Sequence, residues 1–122
     1  MNNTLFWLTE SRRRLGGVHL LLEQAYYPEA VSRSFYTLYA AAKALLTARG
    51  VQTRTHPGLK RMLSLLYVNE GMLDGEHVKS FDHVFKSRMT ADYDAIPVTR
   101  REAQQCLEQA RNFVEAAEKL LA

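Results

Sequence analysis

The sequence is poor in the residues that crosslink a chain or break its helices. Among 122 residues there are one cysteine, three prolines and six glycines. A single cysteine excludes an intramolecular disulfide and fits a reducing compartment. Cys106 falls in a predicted helix with no histidine near it in sequence, so we interpret it as a packed thiol. Sparse glycine and proline, with no low-complexity tract, argue against disorder.

Long apolar runs and a strong charge of one sign are also missing. No stretch approaches the roughly 20 apolar residues that a membrane-spanning helix needs. The N-terminal run LFWL is too short for a signal peptide, and arginines follow it rather than precede it. We therefore expect a cytoplasmic protein without membrane contact. The net charge of +3 permits a nucleic-acid or acidic partner without arguing for one.

The sequence lacks the usual patterns of metal and phosphate sites. Its histidines are His19, His56, His77 and His83. No pair has the i, i+4 spacing of a helical metal site, and there is no Cys-x-x-Cys, so we expect no metal and no cofactor. His83 is expected to be exposed. No glycine-rich phosphate loop and no nucleophile elbow occurs.

What the chain does have is one strongly apolar, well-delimited helix. Pro28 suits a first helical turn, and Gly50 suits the position just after a helix end. Between them an apolar stripe repeats at steps of three and four residues, at Val31, Phe35, Leu38, Ala42 and Leu45. A helix that is apolar over most of its circumference is buried on several sides. We predict that the other helices wrap this central one.

The remaining periodicity predicts a wholly helical chain. We place helices at about 4–24, 28–49, 56–68, 76–93 and 100–121, with Thr55 or His56 as the cap of the third. Thr99 and Glu102 have the spacing of a capping box and are predicted to start the fifth. Gly16-Gly17 predicts a bend or a close helix approach in the first helix, or a break into two. Because the loops are short, neighbouring helices should run antiparallel. The expected fold is an all-α, up-and-down bundle of four to five helices in one domain, 1–122.

The fourth helix combines an apolar face with two opposite charges. At 100° per residue the face contains Val78, Phe81, Phe85 and Met89. Arg88 and Asp92 are four residues apart, so their side chains can meet. One interpretation is an internal salt bridge that locks this helix onto the bundle. The other is a polar site in a groove, where Arg88 stabilises phosphate charge.

Three segments together resemble the small stand-alone prokaryotic HEPN proteins. They are YYPEAVSRSFYTLYAAAKALLTARGV at 26–51, THPG at 55–58 and RMTADY at 88–93. The resemblance implies an all-α bundle that forms a homodimer. Many HEPN proteins are metal-independent ribonucleases, often toxins encoded with a minimal nucleotidyltransferase antitoxin. Others are non-catalytic modules that bind RNA or a nucleotide, and both alternatives stay open here.

The resemblance also implies a set of site residues. The HEPN catalytic pattern is an arginine followed, after four to six residues, by a histidine. Arg88 matches the arginine, but Tyr93 stands where a histidine is expected. We therefore expect a catalytic set of Arg88, Asp92 and Tyr93 in a dimer groove, with Arg33 and Arg88 binding RNA or nucleotide. Tyr93 is also a candidate target for adenylylation by the partner, and a purely structural Arg88–Asp92 pair is the remaining alternative.

Overall fold

The computed structural model describes residues 3–122, and all regular secondary structure in that range is helical. The five helices are α1 Thr4–Glu23, α2 Tyr27–Ala48, α3 His56–Leu63, α4 Glu76–Tyr93 and α5 Arg100–Leu120. A π-helical turn, Ser64–Val68, continues α3. The predicted all-α bundle is confirmed.

Helix α2 lies at the centre of the bundle, as predicted. It contacts each of the other four helices, and twelve of its 22 residues are buried. The apolar stripe of α2 supplies Val31, Leu38 and Leu45, each with no accessible surface. Burying aliphatic side chains of this size stabilises a fold by about 1.5–3 kcal/mol each. The position of each other helix therefore depends on the apolar side chains that it packs against α2.

A residue with positive φ flanks α2 on each side. Gly50 follows the helix with φ 70°, which glycine adopts without a steric penalty. Ala25 precedes the helix with φ 63°. An alanine in this region costs about 1–2 kcal/mol. The tight α1–α2 connection, in which Tyr26 N–H donates to the Leu21 carbonyl at 2.9 Å, holds Ala25 in that conformation.

Helix α1 runs without interruption through Gly16-Gly17. Apart from the adjoining backbone of α1 itself, a Cβ atom built on either glycine would meet no atom within 4 Å. The pair therefore marks neither a break nor a close helix approach. Packing of Leu15 and Val18 against the core holds the helix across two residues of low helical propensity.

The sequence Thr55-His56-Pro57-Gly58 sets the start of α3. The Thr55 hydroxyl accepts a hydrogen bond from Gly58 N–H at 3.0 Å, so Thr55 is the cap rather than His56. Pro57 occupies the first turn, where no backbone donor is needed. A Cβ on Gly58 would stand 2.9 Å from the Thr55 hydroxyl oxygen, which explains the glycine. His56 is thereby held in the first turn of α3.

Helices α4 and α5 close the bundle. As predicted, Thr99 caps α5, its hydroxyl accepting from Glu102 N–H at 3.1 Å. On α4 the inner side is Phe81 and Val84, both fully buried. Met89, expected on the same apolar face, is 40% exposed, whereas Ala91, two residues on and so on the other side of the helix, packs against the core. Within residues 3–122, no helix combines the length and apolarity needed to cross a bilayer.

Candidate functional site

Helices α2, α3 and α4 meet around a pocket of about 220 Å³, which we call the aromatic pocket. Its walls come from α2, from the α2–α3 connection and from the facing sides of α3 and α4. The lining residues are Phe35, Tyr36, Tyr39, Thr53, Arg54, Thr55, His56, Leu59, Phe85 and Arg88. Aromatic and aliphatic walls with a few convergent polar groups are typical of small-ligand sites.

Arg88 enters the pocket from α4. Its guanidinium carbon lies 5.0 Å from the ring centroids of Phe35 and Tyr36. Rings at this distance attract the cation through their negative faces. Nε of Arg88 is 3.4 Å from Oδ2 of Asp92, so the predicted meeting of the two side chains occurs. The contact is an ion pair without hydrogen-bond geometry, since Nε has no hydrogen-bond partner.

His56 enters the same pocket from α3. Its ring stacks on Phe85, with centroids 4.1 Å apart and planes at 17°. Nε2 of His56 lies 3.7 Å from Oδ1 of Asp82, which also binds Nζ of Lys60 at 2.6 Å. Burial among the rings lowers the pKa of His56; Asp82 opposes this shift and the positive charge of Lys60 adds to it. The neutral imidazole is therefore favoured at neutral pH.

The aromatic pocket holds both unpaired buried side-chain atoms found in the described chain. In residues 3–122, Nδ1 of His56 and Nε of Arg88 are buried without a hydrogen-bond partner. Leaving such a group unpaired costs about 1–3 kcal/mol, so native structures retain few of them. Their occurrence together distinguishes the wall of this pocket from the rest of the described chain.

The structure brings only part of the predicted residue set into this pocket. Arg88 lines it, and Asp92 contacts Arg88 from the next turn of α4. Tyr93 is 72% exposed and does not line the pocket. Arg33 is exposed, but its guanidinium carbon lies 6.0 Å from the Tyr36 ring, whose centroid is 5.0 Å from Arg88. Tyr36 thus links the pocket to a second positive charge at its margin.

A second polar cluster lies between α4 and α5, which we call the α4–α5 cluster; it comprises His83, Ser87, Glu102, Cys106 and Gln109. Nδ1 of His83 is 2.7 Å from Oε1 of Gln109, and its Nε2 is 3.1 Å from Oε1 of Glu102. The Ser87 hydroxyl donates to the same Glu102 oxygen. The expectation that His83 is simply exposed is wrong, because α5 covers that side of α4.

Cys106 completes the α4–α5 cluster as a buried thiol, as predicted. Burial raises its pKa to about 12. Ligand atoms of His83, Glu102 and Cys106 lie within 4.8 Å of one another, a spacing that the sequence did not reveal. We interpret the cluster as structural, since His83 and Glu102 already satisfy each other and their neighbours.

Comparisons with known proteins agree with this fold. Residues 4–120 match the pattern that defines the HEPN domain. The chain belongs to the HEPN family. The HEPN resemblance of the three sequence segments is therefore confirmed.

Relatives of this HEPN chain occur in archaea and bacteria. A Methanocaldococcus jannaschii protein named "Putative toxin MJ0605" is 30% identical over 91% of this chain and 83% of its own length. A Thermotoga maritima protein named "UPF0332 protein" is 28% identical over 95% of this chain and 89% of its own. The crystal structure of TT1696 from Thermus thermophilus superposes with a TM-score of 0.82, at 26% identity over 98% of each chain.

Two polar residues that line the aromatic pocket were not predicted from the sequence. The sequence pattern assigns His56 at most a capping role in α3 and places Arg54 in the α2–α3 connection, yet both line the aromatic pocket with Arg88. The capping pattern that locates His56 gives no hint of its neighbours on α4. A usable signal was the unusual density of aromatic residues on the two facing helices, which indicates where a polar side chain would be held between rings.

Proposed function

We propose that this chain is the RNA-acting HEPN protein of a toxin–antitoxin or defence pair, and that it cleaves RNA without a metal ion. Arg88 would bind and stabilise the phosphate that reacts. Asp92 would orient Arg88, and Tyr93 would contribute from the rim of the groove. Two Methanocaldococcus jannaschii relatives with "toxin" in their names support the system class.

The observation that carries this proposal is the placement of Arg88. Its side chain is only 21% exposed, yet its Nε makes no hydrogen bond within the chain. Aromatic rings on α2 hold the guanidinium at the pocket without using its donors. Guanidinium donors match phosphate oxygens in number and direction. A positioned arginine of this kind stabilises the charge that develops on phosphorus during cleavage.

The alternative function is a non-catalytic HEPN module that binds RNA, a nucleotide or a nucleotidyltransferase partner. It is favoured by one specific observation, namely that Tyr93 stands in the place of the motif histidine. A tyrosine has a pKa near 10 and is a poor general base at neutral pH. The exposed Tyr93 hydroxyl would be open to adenylylation by such a partner.

Cleavage of labelled RNA in the presence of a chelator tests the two functions. We expect the wild type to cleave, and Arg88→Ala to lose at least about 100-fold in rate because the phosphate loses its main stabilising charge. Arg111→Ala is the matched control, since Arg111 lies on α5 and pairs with the exposed Glu108. Equal rates for wild type and Arg88→Ala contradict the catalytic proposal. Binding without cleavage by the wild type supports the alternative.

The proposal includes a homodimer whose groove contains the site. Exposed apolar side chains beside Arg88 support it, because Met89 and Tyr93 are four residues apart on α4 and Ile96 follows in the next loop. Gel filtration with light scattering should report a dimer that Met89→Glu dissociates. A wild-type monomer at micromolar concentration contradicts this part of the proposal.

A further inference from the structure

A histidine from a different helix occupies the neighbourhood of Arg88. His56 opens α3, whereas Arg88 lies near the end of α4. Phe35 links them, with its ring centroid 6.0 Å from the His56 ring and 5.0 Å from the Arg88 guanidinium carbon. The ring of Phe85, one turn before Arg88 on α4, stacks directly on His56. The imidazole and the guanidinium thus share one aromatic wall.

The groups around His56 determine which of its two ring nitrogens can accept a proton. Asp82 faces Nε2 at 3.7 Å, which favours the tautomer that carries its proton on Nε2. Nδ1 then carries the lone pair; it is buried without a hydrogen-bond partner in the described chain, so a neighbouring side chain has to move before a ribose hydroxyl reaches it. Lys60 is paired with Asp82, and Arg54 and Arg88 line the pocket beside the ring. Burial of the ring, and secondarily the charge of Lys60, lowers the pKa of His56 and favours its neutral, proton-accepting form.

The size and walls of the pocket limit the form of its RNA ligand. A volume of about 220 Å³ has room for a single base or ribose and not for a stretch of duplex. Proteins that read single-stranded RNA stack its splayed bases on aromatic side chains. Tyr36 and Tyr39 offer such rings at the pocket wall. The geometry therefore fits an unpaired nucleotide.

We propose that His56 is the general base of this site and that its substrate is unpaired RNA, with one ribose placed between His56 and Arg88. His56 takes the proton of the ribose 2′-hydroxyl, and the 2′-oxygen forms a bond to the adjacent phosphorus. Arg88 stabilises the added negative charge. The bond from phosphorus to the 5′-oxygen breaks, and that oxygen takes the proton from the imidazolium. The products are a 2′,3′-cyclic phosphate and a 5′-hydroxyl end.

This inference rests on the proposed RNA cleavage and adds a residue that the HEPN pattern does not contain. The test uses the full chain, a short unpaired oligoribonucleotide and a chelator, with an all-2′-deoxy version of the oligonucleotide as an uncleavable binding probe. His56→Phe keeps a ring to stack on Phe85 and removes both nitrogens. His56→Asn keeps a polar group that cannot carry the proton. His19→Asn, on the exposed side of α1, is the matched control.

We expect both His56 variants to cleave at least about 100-fold more slowly, the range that a positioned general base contributes. Binding of the deoxy probe should change by less than about threefold, and His19→Asn should match the wild type in both assays. The wild-type rate should fall at acidic pH as His56 takes up a proton. The slow residual rate of His56→Phe should lack this fall.

Different failures overturn different proposals. If the wild type cleaves and either folded His56 variant keeps its rate, His56 is not the base, while the proposed cleavage stands. If the wild type leaves the oligoribonucleotide intact, both proposals fall and the non-catalytic module is supported. A thermal melt of each variant establishes that it is folded. If His56→Phe does not fold, the rate of a folded His56→Asn decides whether His56 is the base.

Discussion

Helix α4 borders a group of polar side chains on each of two sides, and the two groups differ in how completely they are hydrogen-bonded. Toward α5, the ring nitrogens of His83 and the hydroxyl of Ser87 all have partners. Toward α2 and α3, Nδ1 of His56 and Nε of Arg88 have no hydrogen-bond partner, and Nε has only the longer ion pair with Asp92 at 3.4 Å. Both sides contain a histidine beside a carboxylate. The residue types are therefore similar in the two groups. What distinguishes them is whether their polar atoms have hydrogen-bond partners within the chain.

The two groups differ in hydrogen bonding because different residue types surround them. In the α4–α5 cluster, Glu102 and Gln109 provide acceptors for the polar groups of α4. In the aromatic pocket, the neighbours of His56 are mainly rings, which contribute packing but no strong hydrogen-bond acceptors. Aromatic packing stabilises the pocket while leaving its donors and acceptors free for a ligand.

The largest effect on stability is expected from Glu102→Ala. This change removes the acceptor shared by Ser87 and His83 and leaves two half-buried groups unpaired. We expect the free energy of unfolding to fall by about 1–3 kcal/mol in urea denaturation. Glu108→Ala, on the exposed side of the same helix, should cost less than about 0.5 kcal/mol. Similar small losses for both variants would show that the hydrogen bonds of the α4–α5 cluster do not stabilise the fold.

Arg88→Ala should cost less stability than Glu102→Ala. It removes contacts with the Phe35 and Tyr36 rings, worth about 1 kcal/mol at a partly exposed site. If the Arg88–Asp92 pair instead locks α4 onto the bundle, the loss would be about 3–5 kcal/mol. Urea denaturation separates the two outcomes, and the larger value would favour the structural interpretation of the pair.

The pH dependence of stability should distinguish wild type from His56→Phe. Burial lowers the folded-state pKa of His56 below its ordinary value of 6.5. As pH falls below 6.5, the unfolded chain binds a proton that the folded chain does not, so the folded state loses stability. Between pH 7 and pH 5.5, the free energy of unfolding should fall further for the wild type than for His56→Phe. Parallel curves would mean that His56 titrates normally in the fold.

The smallest effect concerns Cys106 in the α4–α5 cluster. Its buried thiol, with a pKa of about 12, should react with a thiol reagent at pH 8 only when the structure opens. Glu102→Ala should raise the labelling rate modestly by loosening the α4–α5 contact, and Arg88→Ala should not. Equal acceleration by both variants would show that the two sides of α4 are coupled rather than distinct.

The features predicted well from the sequence are those within one helix or one turn. The apolar stripe located α2, and the Thr99–Glu102 capping box located the start of α5. Spacing of four residues placed Asp92 next to Arg88. Each of these features depends on the backbone geometry of a single element, which repeats from protein to protein.

The predictions that failed concern contacts between helices. His83 was expected to be exposed, since a helical wheel of α4 does not include α5. The position of His56 in the aromatic pocket was missed because the start of α3 and the second half of α4 meet only after both dock on α2. The docking angle and rotation of each helix depend on the whole core, and no local pattern encodes them.

The sequence by itself determined that this chain is helical, that α2 is central and that Arg88 and Asp92 share a helix side, because periodicity and capping act locally. It also carried the HEPN resemblance, through segments on α2, α3 and α4. The tertiary structure decided which polar groups become paired. Aromatic rings surround His56 and Arg88, so atoms on that side of α4 lack hydrogen-bond partners. Acceptors surround His83, so the polar groups on the α5 side are hydrogen-bonded.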